Sequence, residues 1–252
     1  MSEQKTSKRI PGSDHAAVEL VLAVHGGDVE AIRRLLHADP ALASARFVGE
    51  KGSTTPLHVV TDWPGYFPNG PEIATLLIGA GADPNARTTG QSQQIGPGDE
   101  TPLHYAASSD DVDVAEALID GGADIEAPDG SIGTPLDNAI GYGCWHVARL
   151  LVARGASVDK AWHAGALGML GRLREILAGD PPAQEVSKAF WHACAGRQRR
   201  AAQYLLSRGA DLNWEPDYAN GTPLDAAGDP STRDQNVISW LRDLGARSVR
   251  TQ

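Results

Sequence analysis

The feature that most constrains this chain is a phrase of four residues that returns along it: Thr55-Pro-Leu-His58, Thr101-Pro-Leu-His104, Thr134-Pro-Leu-Asp137 and Thr222-Pro-Leu-Asp225. A second phrase follows at a nearly fixed offset, at Gly81-Ala82-Asp83, Gly122-Ala123-Asp124, Gly155-Ala156-Ser157, Gly209-Ala210-Asp211 and Gly245-Ala246. Thr101 to Gly122 and Thr134 to Gly155 each span 21 residues, and the two threonines stand 33 apart. A period of that length is one helix-turn-helix unit. Such a unit is too small to bury its own apolar face, so it must stack against copies of itself.

The residues within the unit explain themselves. Threonine before proline offers a side-chain oxygen to cap a helix, and proline suits the first turn because it lacks an amide hydrogen no neighbour would accept there. Leu103, Ala106 and Ala107 then share one face at helical spacing, and the alanines are small enough for close helix contact. After a turn at residues 108–111, a second stripe of Val114, Leu118 and Ile119 ends at Gly121-Gly122, where glycine can close a helix in the left-handed conformation. The same frame exposes copies without the tetrad: Asp159-Lys-Ala-Trp162, Lys188-Ala-Phe-Trp191 and a first unit with Ala23-Val24 as its small pair. It predicts seven units, beginning near residues 18, 55, 101, 134, 159, 188 and 222, in one domain over 14–247 between polar tails at 1–13 and 248–252.

These residues resemble the ankyrin repeat family, whose tetrad, alanine pair and Gly-Ala-Asp turn are matched best over residues 101–124. The resemblance implies an all-α fold, a solenoid of stacked helix pairs with short hairpin fingers, and a protein-binding scaffold rather than an enzyme. It also implies that the tetrad histidines His58 and His104 bond nearby backbone and the threonine hydroxyl. Asp137 and Asp225 stand where histidine is usual, and can cap in a similar way. The first and fifth units end in Ala38-Asp-Pro40 and Gly179-Asp-Pro181, which predicts that both lack the turn into a projecting hairpin.

Charge and composition narrow the partner. With 22 Lys+Arg against 32 Asp+Glu the formal charge is -10, which repels nucleic acid and anionic lipid at long range and favours a partner with a basic surface. No apolar run approaches the length of a membrane helix, and the N-terminus has no apolar signal region. Two cysteines, Cys144 and Cys194, fit a reducing cytoplasm better than secretion. Arg197, Arg199 and Arg200 start an outer helix, where the dipole prefers acids; without a longer basic stripe they read as a rim rather than a phosphate site.

No catalytic or metal-binding motif has the required spacing, so neither cofactor nor metal is expected. The rival reading, a small-ligand or metal-dependent enzyme, rests on His163 and His192 at equivalent inner-helix positions. Neighbouring helices lie about 8–10 Å apart, too far for two imidazoles to share a metal unless both lean inward.

In the resembling family, partners touch the fingertips and the residue after the tetrad. That row is here Val59, Tyr105, Asn138, His163, His192 and Ala226, with Trp214, Asp217 and Tyr218 on a finger. Asp99, Glu100, Asp124, Glu126 and Asp129 make the finger side acidic. A monomeric module presenting an acidic, aromatic-containing concave face follows. The second unit carries five extra residues around Trp63-Pro-Gly-Tyr-Phe67 and eight more in the hairpin 88–99. The aromatic rings of the first insertion either fold back over helix ends or form part of a binding surface. Trp162 and Trp191 take the tetrad histidine's place where fingers are short, either as core or as the walls of a groove.

Overall fold

The computed structural model describes residues 7–50, 52–90, 100–229 and 234–250. The polypeptide forms two compact units, Met1–Ala156 and Ser157–Gln252, where the sequence reads as one continuous domain. The first unit holds the helix pairs α1 (His15–Gly26) and α2 (Val29–Ala38), α3 (Pro56–Val60) and α4 (Gly70–Gly79), α5 (Pro102–Ser109) and α6 (Val112–Asp120), and α7 (Pro135–Gly141) and α8 (Trp145–Ala153). The second holds α9 (Ala161–Ala166) and α10 (Leu170–Ile176), α11 (Ala183–Ala195) and α12 (Arg199–Ser207), and α13 (Pro223–Ala227) and α14 (Gln235–Asp243). Within each unit the first helix of a pair packs on the first helix of the next. The second helices pack likewise.

Each layer follows from its residues. The inner helices bury Leu57, Leu103, Leu136 and Leu224 from the tetrads, and the outer ones bury Ile73, Val114, Leu118 and Leu205. Small residues set the separation: a Cβ at Gly165 of α9 would stand 2.7 Å from the Ala189 carbonyl oxygen of α11. All four tetrads close as capping boxes. At His58 and His104 the Nδ1 atom accepts the threonine amide at 3.3 and 3.2 Å, while Nε2 faces a carbonyl oxygen at 3.0 Å, that of Glu100 and Gly133 respectively. A carbonyl only accepts, so both rings carry their proton on Nε2. Each acceptor is the residue just before the next threonine, so each ring fastens its helix to the entry of the following repeat.

The same fastening recurs without histidine. The Trp191 Nε1–H donates to the Gly221 carbonyl at 3.0 Å, one residue before Thr222, so the indole repeats what the imidazoles do. Asp225 offers acceptors instead, and here the C-terminal segment supplies donors: the Val249 amide at 3.0 Å and the Ser248 hydroxyl. Burial works to raise the Asp225 pKa, but the bonds from Ser248, Val249 and Thr222 outweigh it and hold the carboxyl below its usual value.

Two expectations are corrected. The first unit does run into a hairpin: Asp39 caps a short 3-10 turn, Pro40–Ser44, and the chain continues into β2 (Arg46–Gly49) and β3 (Gly52–Thr54). The segment assigned to a tail contributes β1 (Arg9–Pro11), parallel to β2 and burying Ile10, in a sheet of order β1-β2-β3. At the fifth repeat the link after Gly179-Asp-Pro181 is taken up by extra helix, since α11 starts at Ala183 and runs for 13 residues. Residues 1–6, 91–99 and 251–252 of the two tails and the enlarged hairpin, Asp99 among them, lie outside the described residues.

Candidate functional site

In the second unit the inner helices and one finger assemble an aromatic basin. Helix α9 supplies Trp162 and His163, α11 supplies Lys188, Trp191 and His192, and the finger after α12 supplies Trp214 and Tyr218. The Trp162 ring lies 4.3 Å from His163 and 4.7 Å from His192, so the indole touches both imidazoles. Tyr218 stacks over His192 at 6.0 Å, meets Trp191 edge-on at 6.3 Å and lies 6.4 Å from Trp214. The Lys188 ammonium sits over two of these faces, 4.9 Å from Trp162 and 5.2 Å from Tyr218, an attraction to the negative ring faces.

Depth divides the basin. Trp162, His163 and His192 are buried; Trp191 and Trp214 are half-buried, and Tyr218 is 51% exposed. His192 Nε2 lies 3.1 Å from the Tyr218 hydroxyl. Burial, then the Lys188 ammonium and His163, push the His192 pKa down to about 3, so the ring is neutral at physiological pH. His163 and His192, expected on the exposed binding row, are therefore the floor of the basin. Trp162 fills the core, and Trp191 both fastens the repeats and lines the wall. Asp217 is exposed beside Tyr218. Lys188 thus brings a cation onto the rings, and Asp217 an exposed carboxylate beside them.

In the first unit Tyr105 is half-buried and meets His58 edge-on at 5.2 Å. It lines a cleft of about 440 Å3 with Val21, Phe47, Val59, Thr88 and Glu100. Burial, with the Glu100 and Asp62 carboxylates nearby, pushes its phenol up to about 12. Two residues are corrected here. Asn138, placed on the binding row, is fully buried: its amide donates to Glu100 Oε1 at 2.7 Å and to Ser108 at 3.2 Å, and its carbonyl accepts the Ile132 amide. Glu100, counted among the acidic fingers, is buried as that amide's partner. Asp124, Glu126 and Asp129 are exposed on the finger.

The arginine group is partly engaged, since Arg199 bonds Asn236 and lies over the Trp240 ring at 5.5 Å. Among the described residues no three His, Cys, Asp or Glu side chains converge as a metal ion would require, and no helix is long and apolar enough to cross a membrane.

Residues 65–161 match the family model of ankyrin repeats, in three copies. Among solved structures the chain is similar to the ankyrin repeat domain of Bcl-3, a member of the IkappaB protein family, at 24% identity over 89% of this chain and 97% of that one, with a TM-score of 0.48. The matched segment contains the tetrads at Thr101 and Thr134, and those at Thr55 and Thr222 outside it close the same capping box on the same kind of helix pair. The chain carries ankyrin repeats, matched by the family model over residues 65–161.

Proposed function

We propose that this chain is a monomeric protein-binding module that seats its partner on the aromatic basin of the second unit, with the acidic fingers of the first as a further contact. Ankyrin repeats generally serve as protein–protein interaction modules, and the finer reading rests on one observation. Tyr218 is half exposed beside half-buried Trp191 and Trp214, and all three rings are held in fixed contacts. Rigid aromatic groups with one open face are the groups that carry most binding energy at protein interfaces. Exposed Asp124, Glu126, Asp129 and Asp217 favour a partner with a basic surface, and Tyr105 lies on the same unit as the first three.

Nothing favours the enzyme reading. His192 is neutral with Nε2 engaged by Tyr218, and burial pushes the Cys194 thiol up, away from the nucleophilic thiolate. Both cysteines are buried and free, which supports a reducing cytoplasm.

Affinity capture tests the proposal. Trp214→Ala with Tyr218→Ala should stay folded, melting below the parent because buried His192 loses its Nε2 partner, and should lose the captured partner; association of the parent should weaken as salt rises. Retention of the partner by a folded double variant would move the binding face elsewhere.

A further inference from the structure

The loop that joins α3 to α4 carries the five residues in excess of the repeat, and neither the helix stack nor the basin uses them. Both neighbouring repeats hold it in place. On one side Phe67 stacks on His25 at 4.5 Å, and the Asn69 side chain donates to the Gly27 carbonyl at 2.8 Å. On the other the Tyr66 amide donates to Asp111 Oδ2 at 2.7 Å, and its hydroxyl donates to the Asp110 carbonyl. Within the loop the Gly65 amide donates to the Asp62 carbonyl at 2.7 Å. Five such ties would bury the rings if covering helix ends were their role. Phe67 does fold back, but Trp63 is 81% exposed and Tyr66 62% exposed. A fixed loop that keeps two large rings in water presents them.

The charge around them is of one sign. Burial first, and then the carboxylates of Asp110, Asp111 and Asp113, push the Tyr66 phenol upward. Asp62 adjoins Trp63 and accepts its amide at 2.9 Å. Asp110 is taken up by the His146 ring and Asp111 by the loop, whereas Asp62 and Asp113 are exposed and make no ion pair among the described residues. An indole face beside uncompensated carboxylates attracts a planar cation, which can stack on the ring while its N–H groups reach an oxygen.

We infer that the loop at residues 62–67 is a second docking surface, which receives an arginine-bearing segment of a partner protein on Trp63 and Tyr66, with Asp62 and Asp113 as the countercharge. It is separate from the basin and does not depend on it.

The test uses the full chain labelled with 5-fluorotryptophan, whose six tryptophans give separate fluorine resonances. That of Trp63 is identified by its loss in Trp63→Ala, which should melt as the parent because the ring is exposed. An alternating Gly-Arg decapeptide should shift the Trp63 resonance, and a Gly-Glu decapeptide should not. Fluorescence anisotropy with the labelled Gly-Arg peptide should show affinity about tenfold weaker in Trp63→Ala, and severalfold weaker in Asp62→Asn. Three results would each overturn the inference: no shift at Trp63, equal affinity of parent and Trp63→Ala, or shifts confined to the other tryptophans. The last would send the peptide to the basin or to diffuse attraction by net charge.

Discussion

At the fourth tetrad position histidine and aspartate solve one local problem with opposite polarity. The imidazole accepts the threonine amide and donates onward to a carbonyl; the carboxylate accepts on both sides and needs donors beyond it. Holding histidine neutral has a measurable consequence. Burial lowers the pKa of His58 to about 4 and of His192 to about 3, and lowers that of His104 as well. A group depressed in the folded state takes its proton first in the unfolded chain. Stability is therefore full above the ordinary histidine pKa of 6.5 and falls as pH drops from there toward the folded values. Urea midpoints should be level at alkaline pH and decline through mildly acid pH, by up to about 1.4 kcal/mol per pH unit for each ring. A profile that stays flat through mildly acid pH would contradict the buried, neutral assignment. Trp191→His should keep the bond to Gly221, whereas Trp191→Phe leaves that carbonyl unmet and should cost about 1–3 kcal/mol by the same measurement. The tetrad roles were legible because cap and acceptor are fixed by short spacing. The burial of Asn138 was not, since its partner Glu100 lies 38 residues away and the pairing exists only after two repeats have stacked.

At the level of elements, legibility followed length. Helices of eight to thirteen residues carry enough turns to show their period, and the repeat frame locates even the shorter ones. Strand β1 has three residues and one buried apolar side chain, Ile10, too little for any alternation to appear. Its place is set by bonds from the Arg46 amide to the Lys8 carbonyl and from the Gly12 amide to the Val48 carbonyl, both 2.8 Å. Ile10→Ser, which removes the buried side chain but keeps the backbone bonds, should lower unfolding free energy by about 1.5–3 kcal/mol in urea titration. An unchanged midpoint would mean that β1 lies on the first unit without contributing to it. The hairpin after Pro40 was missed for a related reason. Asp39-Pro40 signals the end of a helix, but the short 3-10 turn it starts redirects the chain into strands, and turn residues do not encode where the chain goes next.

For the molecule as a whole, each repeat buries its apolar faces mainly on its neighbours, so stability is distributed among the repeats of each unit. Deleting α13 and α14 would uncover the face of α11 that they cover, in the unit built around fully buried Phe190 and Leu205. We expect the shortened chain to aggregate or to melt earlier, by size-exclusion chromatography and calorimetry. A monomer with the parent's melting temperature would show that this pair does not support α11. Net charge, legible from composition, sets the long-range field but not the local one: a chain at -10 still places Lys188 over the rings of its aromatic basin.

The fastening of three repeats to the entry of the next has one direction along the chain. His58 waits for the carbonyl of Glu100, His104 for that of Gly133, and Trp191 for that of Gly221, so these three repeats complete their polar contacts only once their successors have been made. During synthesis each of these three repeats thus stays unfinished until the residues that follow it have been made. At Asp225 the segment after α14 supplies the donors instead, from Ser248 and Val249, so this contact too is completed by residues made later in the chain.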